Sequence, residues 1–148
     1  IESLVSSKLD SHNQITLQNL DGETDDWYCG VGSAVHLKNK NEQSYKFIQP
    51  SLKGTKIESI INEYGGFRTR IMNLKPRTCY SLHQDYSYRI HIPITTNTQC
   101  WMTWPFGNKC YYLEAGNIYW TNTKLLHSAF NGSEVNRIHV VMCVSRLW

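Results

Sequence analysis

From Phe67 onward, apolar and polar residues alternate with a period of two in short runs separated by turn residues. The runs are Phe67 to Leu74, Thr78 to Leu82, Arg89 to Ile94, Gln99 to Trp104, Lys109 to Leu113, Ile118 to Thr121, Leu126 to Phe130 and Arg137 to Val144. Successive side chains of a strand point to opposite faces, so such alternation predicts strands with one face buried. The linkers carry Lys75-Pro76, Asn97, Phe106-Gly107-Asn108, Ala115-Gly116-Asn117 and Asn131-Gly132, residue types suited to turns. Short strands with tight turns and no helix between them predict a mainly β fold, a double-stranded β-helix of the jelly-roll kind.

Upstream the pattern changes. In Ser51 to Tyr64, Leu52, Ile57, Ile60 and Ile61 share one helical stripe, and Gly65-Gly66 follows as a stop. A helix packed on the outside of the sheet is expected here, within one or two flanking helices in all. The rest of residues 1–66 reads as framework to a β-barrel core at 67–145. Gln14 to Leu20 alternates weakly before the Asp21-Gly22 turn, and Lys38 to Ser44 reads as a polar surface loop without chemistry. Asn131-Gly132-Ser133 is both a glycosylation sequon and a hairpin signal; the suitability of Asn-Gly for positive φ favours the turn.

Composition narrows the class. With 148 residues and 41% hydrophobic content, one domain with a proper core is expected. Five Trp and nine Tyr suit pleated surfaces better than a helix bundle. The net charge of +3 comes from scattered basic residues, so the footprint of a nucleic-acid binder is missing. Cys29, Cys79, Cys100, Cys110 and Cys143 are odd in number and lack CxxC spacing, as expected of buried free thiols in a reducing, cytoplasmic setting. A Cys100–Cys110 disulfide across a hairpin is geometrically open but not favoured. No apolar run is long enough to span a membrane and no signal peptide is evident, so a soluble protein is expected.

The candidate chemistry lies between Tyr80 and Pro93. His83 and Asp85 are two apart, so on an extended strand both leave one face with their Cα atoms about 7 Å apart, within reach of one metal ion. A third ligand must then come from elsewhere; two histidines and a carboxylate make the facial triad of non-haem Fe(II) oxygenases. Arg89 and His91 repeat the spacing on the next run, and Arg137 and His139 on the last. Such residues are expensive to bury on the inner face of a small barrel unless they meet charge, metal or ligand. Singly, each has an ordinary reading: strand histidines at 83 and 91, a turn residue at 85, a surface ion-pair partner at 137, a hydrogen-bonded core histidine at 139.

As a set, the order and spacing are specific. His83-Gln-Asp85, then Arg89-Ile-His91-Ile-Pro, Ala115-Gly116-Asn117, His127-Ser-Ala-Phe-Asn131 and Arg137, ten residues past that histidine, resemble the aspartyl/asparaginyl β-hydroxylase branch of the Fe(II)/2-oxoglutarate oxygenases, within the cupin superfamily. The likeness runs from about Thr78 to Val144. It implies that His83, Asp85 and His127 hold iron, that Arg137 holds the far carboxylate of 2-oxoglutarate, and that Arg89 and His91 line the cosubstrate site. Ser81, Tyr86 and Tyr88 flank the ligands and are candidates for substrate contact. With Asp85 in place the triad is complete, which argues against a halogenase. The implied activity uses O2 to hydroxylate an amino-acid side chain, peptidyl or free, while 2-oxoglutarate is converted to succinate. The alternative is a non-catalytic metal-binding cupin module; a cupin isomerase or a dioxygenase independent of 2-oxoglutarate is a third reading. Neither nucleic acid nor membrane is an expected partner.

Overall fold

The structure, a computed structural model, describes residues 2–9, 11–37 and 41–147. In chain order its elements are α1 (Glu2–Leu9), β1 (Gln14–Thr16), β2 (Gln18–Asn19), β3 (Phe47–Ile48), α2 (Lys56–Glu63), β4 (Phe67–Leu74), β5 (Thr78–Cys79), β6 (Tyr88–Thr95), β7 (Cys100–Trp104), β8 (Lys109–Tyr111), β9 (Tyr119–Thr121), β10 (Ser128–Asn131) and β11 (Arg137–Val144). Two antiparallel sheets face one another, with strand orders β1-β4-β11-β6-β9 and β5-β10-β7-β8, and β2 pairs with β3 alone. The mainly β, jelly-roll expectation is met, with two short helices.

The alternation read from the sequence explains the layers. Ile138, Val140 and Met142 of β11 and Ile90 and Ile92 of β6 leave the outer face of the larger sheet, where they pack with Ile57 and Ile61 of α2. Ile61, Ile90 and Met142 are all but inaccessible to water, and burying each side chain contributes about 1.5–3 kcal/mol. Helix α2 ends where Gly65 adopts φ +62° and the Gly66 N–H donates to the Ile61 carbonyl at 2.8 Å, a left-handed stop that any Cβ would strain. A smaller cluster, Leu74, Met102, Leu113 and Ala129, fills only part of the space between the sheets. The main apolar core thus lies outside the sandwich, and the inner face of β4, β6 and β11 is left to Arg70, Arg89, His91, Arg137 and His139.

Several boundaries differ from the expected ones. The helix over 51–64 is a 3₁₀ turn at Pro50–Leu52 followed by α2. The weak alternation at 14–20 is more than framework, because β1 extends the larger sheet along β4. Asn131-Gly132 makes no hairpin: β10 and β11 belong to different sheets, and neither residue has positive φ. Instead Asn131 is buried, its Nδ2 donating to the Leu74 and Val135 carbonyls at 2.9 and 2.8 Å, so the amide is no glycan acceptor. The β7–β8 register sets Cys110 opposite Thr103 rather than Cys100, and none of the five cysteines is in a disulfide. Only Cys100 and Cys143 are buried, while Cys79 and Cys110 are exposed. Among the described residues, no helix is long and apolar enough to cross a membrane.

Candidate metal centre

The strand expected over 78–82 stops at Cys79, and the one expected from Leu126 starts at Ser128. The two segments remain joined by one antiparallel bridge between His83 and His127, whose main chains exchange N–H···O bonds of 3.0 Å in both directions. That bridge sets the two rings side by side, with centroids 4.4 Å apart. Asp85 is held two residues on by its N–H, which donates to the Thr123 carbonyl at 2.8 Å. One donor atom from each of His83, Asp85 and His127 falls within 4.8 Å of the others.

The hydrogen bonds set the tautomers. His83 Nδ1 lies 2.7 Å from the Ser81 carbonyl and His127 Nδ1 2.9 Å from the Leu125 carbonyl. A carbonyl only accepts, so each Nδ1 carries the hydrogen and each Nε2 keeps its lone pair, as a metal-binding imidazole requires. Burial lowers the pKa of His127 below the ordinary histidine value, and the neighbouring His83 acts in the same direction, against the Leu125 carbonyl and Asp85. Trp104 stacks on the buried face of this ring at 6.1 Å and is itself tied to the Asn122 carbonyl. Two neutral imidazole nitrogens and a carboxylate oxygen suit a divalent ion of borderline softness such as Fe(II), so this donor set fits the expected metal.

Asp85 is oriented through its second oxygen. Its Oδ2 is 3.7 Å from His127 Nε2, while Oδ1 is 3.2 Å from Arg89 Nη2. Arg89, expected beside the cosubstrate, has its fork taken up elsewhere: Nη2 and Nη1 also donate to Glu42 Oε1 and Oε2 at 2.8 and 3.3 Å. Glu42 lies in the segment read as a surface loop, of which residues 38–40 fall outside the described ones. It is 4% exposed. Burial alone would raise its pKa, but Arg89 and hydrogen bonds from Ser87 and Arg68 bring it down to about 2.

Beside the triad, a cavity of about 420 Å³ opens between the sheets. Its wall includes His91, whose Nδ1 is 3.4 Å from that of His139. The two buried imidazoles share one hydrogen between these atoms, and His139 Nε2 has no partner. Burial first, then nearby arginines, lowers both pKa values below 6.5. The unfolded chain therefore takes up these protons first. Stability complete above about pH 6.5 falls as the pH drops below it, by up to ~1.4 kcal/mol per pH unit for each histidine. Urea unfolding of the metal-free protein at pH 7 and pH 5 is expected to show that loss, with a shallower dependence in His139→Leu; an equal slope in the variant would remove His139 from the effect.

Arg137 and Arg70 give the cavity its charge. Both are buried and, among the described residues, neither has a carboxylate partner; burial pushes each guanidinium down to about 10. Arg70 donates to the uncharged Gln14 Oε1 and Gly32 carbonyl oxygens. It was not singled out in the sequence, although Arg68, Arg70 and Met72 share the period-two spacing that marks one face of β4. Of the candidates for substrate contact, Ser81 and Tyr86 line the cavity. Tyr88 does not: one residue before Arg89, it points to the other face of β6, against the outer core and beneath the Lys124 ammonium.

A family model described as aspartyl/asparaginyl beta-hydroxylase matches residues 36–146 of this chain. The match begins well upstream of the stretch in which the motifs lie, taking in Glu42 and α2. Eleven chains of solved structure are similar. One is a cupin domain from Bordetella pertussis Tohama I, 18% identical, covering 53% of this chain and 81% of that one at a TM-score of 0.46. Another is a predicted oxalate decarboxylase from Thermotoga maritima, 17% identical, covering 60% of this chain and 73% of that one at a TM-score of 0.45. No curated protein sequence matches.

Proposed function

The chain belongs to the aspartyl/asparaginyl β-hydroxylase family, and from that premise we propose that it is an Fe(II)- and 2-oxoglutarate-dependent dioxygenase hydroxylating an amino-acid side chain, peptidyl or free. The observation that supports this reading best is the pairing, in one cavity, of the His83, Asp85 and His127 donor set with the buried guanidinium of Arg137, which has no carboxylate partner among the described residues.

In this reading His83 and His127 hold Fe(II) through Nε2 and Asp85 through Oδ2. Bound there, iron supplies the redox chemistry by which O2 converts 2-oxoglutarate to succinate and CO2 and places its other oxygen atom in a C–H bond of the substrate. Arg137 binds the distal carboxylate of 2-oxoglutarate. Its planar fork meets a carboxylate with two parallel hydrogen bonds, and its burial in a low-dielectric wall strengthens the pair. Leu74, Met102 and Ala129, which share this part of the cavity, suit the methylene carbons between the acid groups. The Nδ1 bonds to main-chain carbonyls and the stacked Trp104 keep the imidazoles aimed and neutral. Arg70 leaves a further positive charge in the cavity, which favours an anionic occupant. The shape of the cavity brings the reactants together; positioning is the protein's main contribution.

Purified protein incubated with Fe(II), ascorbate and 2-oxoglutarate is expected to form succinate slowly without a prime substrate and faster with one. If the metal-loaded protein neither binds 2-oxoglutarate nor releases succinate, the hydroxylase reading fails and a non-catalytic metal-binding module remains.

A further inference from the structure

A chain of charged contacts runs from the segment after β2 to the metal centre. The Gly30 and Gly32 carbonyls accept from Arg68 Nε and Nη2 at 2.9 and 2.7 Å, and Arg68 Nη1 donates to Glu42 Oε1 at 2.6 Å. Arg68 sits at φ +48°, a conformation uncommon outside glycine, where the β4–β11 register shifts. The turn bearing Glu42 is capped by Asn41, whose Oδ1 accepts from the Gln43 N–H at 3.0 Å. Glu42 then takes both ends of Arg89, and its Oε2 accepts from Ser87 Oγ at 2.6 Å. The last contact is Arg89 Nη2 to Asp85 Oδ1, which leaves Oδ2 on the His127 side.

Resting on the iron-binding reading above, we propose that Glu42 is a positioning residue for the metal centre: by clamping Arg89 it fixes the rotation of the Asp85 carboxylate, so that Oδ1 meets the guanidinium and Oδ2 faces the two imidazoles. A free Arg89 could take both Asp85 oxygens in its fork and turn the carboxylate away from the metal. Glu42 opposes this by holding the Nη1/Nη2 edge of the guanidinium, so that Asp85 meets Arg89 through Nη2 alone. Neither Glu42 nor Arg89 touches the ion; they act by restricting which carboxylate oxygen is offered.

The test is Co(II) titration, read by affinity and by the visible absorption bands that report its coordination. In Glu42→Gln the negative charge is lost and one acceptor oxygen becomes an NH2 group; because each carboxylate oxygen accepts from Arg89, the clamp loosens in either amide orientation. The Co(II) dissociation constant is expected to rise by about 10–100-fold, with changed absorption bands. Because that variant leaves two buried guanidiniums short of a counter-charge, E42Q/R68M serves as the second variant. It restores the charge balance while still leaving Arg89 unclamped, and the same rise is expected. A purely structural role for Glu42 would lower the unfolding midpoint but leave the affinity and bands of the folded protein unchanged, which would overturn the proposal without touching the iron-binding reading. Wild-type protein that binds no Co(II) would overturn both.

Discussion

Replacing His127 by Ala is expected to leave a folded protein that holds no iron. The bridge joining residue 127 to residue 83 is main-chain to main-chain, so it survives loss of the ring. The Nε2 donor does not, and the two remaining ligands cannot close a facial site. Changing a residue that only supports a ligand commonly costs 10–100-fold in metal affinity, so removing a ligand should cost at least about 100-fold. Succinate formation should fall below detection with it. The check is metal content after gel filtration, with circular dichroism to show that the fold persists. Stoichiometric iron in the variant would exclude His127 as a ligand.

Substituting Met for Arg137 should move stability and function in opposite directions. A buried guanidinium that has no carboxylate among the described residues keeps a desolvation penalty in the ligand-free protein, whereas Met fills similar space without charge. Ligand-free Arg137→Met is therefore expected to unfold at a higher temperature than the wild type. Its 2-oxoglutarate affinity should collapse, because each charge-assisted hydrogen bond lost is worth about 1.5–3 kcal/mol, and two of them correspond to roughly 10²–10⁴-fold. Arg137→Lys keeps the charge but not the fork and should lie between the two. Thermal shift with and without 2-oxoglutarate reads both effects: the wild type gains stability from the diacid and Arg137→Met gains none. A variant destabilised without ligand yet still shifted by 2-oxoglutarate would show that Arg137 serves the fold and that another group anchors the cosubstrate.

Such opposed effects follow from an arrangement in which the strongest apolar packing lies on the far side of the sheet. Ile90, Val140 and Met142 secure β6 and β11 against α2, so the intervening residues of the same strands are free to be charged. Arg89 of β6 is compensated by Glu42, while Arg137 of β11 and Arg70 of the adjoining β4 have no carboxylate among the described residues.

Much of this was legible in the letters because strand alternation and helix periodicity are local properties. Period two named β4, β6, β7 and β11 nearly to the residue, and one stripe with a Gly-Gly stop found α2. It also fixed which residues of β6 and β11 point inward; the same parity places Tyr88 outside, against the expectation of substrate contact. Irregular segments were less readable. Residues 80–87 follow no ladder, so His83 and Asp85 reach the site through one isolated bridge rather than along a strand.

The spacing of charged and apolar side chains was enough to settle the faces of the sheets, the outer position of the helix and the residue types gathered near Asp85. Partnership across long separations was not: that Glu42 clamps Arg89, that β1 joins the larger sheet, that β10 and β11 part company after Asn131, and that the Arg137 charge stays unmatched by any described carboxylate. Those outcomes depend on sheet pairing, register and burial, which arise from the whole chain at once, because the energy of a buried charge is set by whatever folding brings against it.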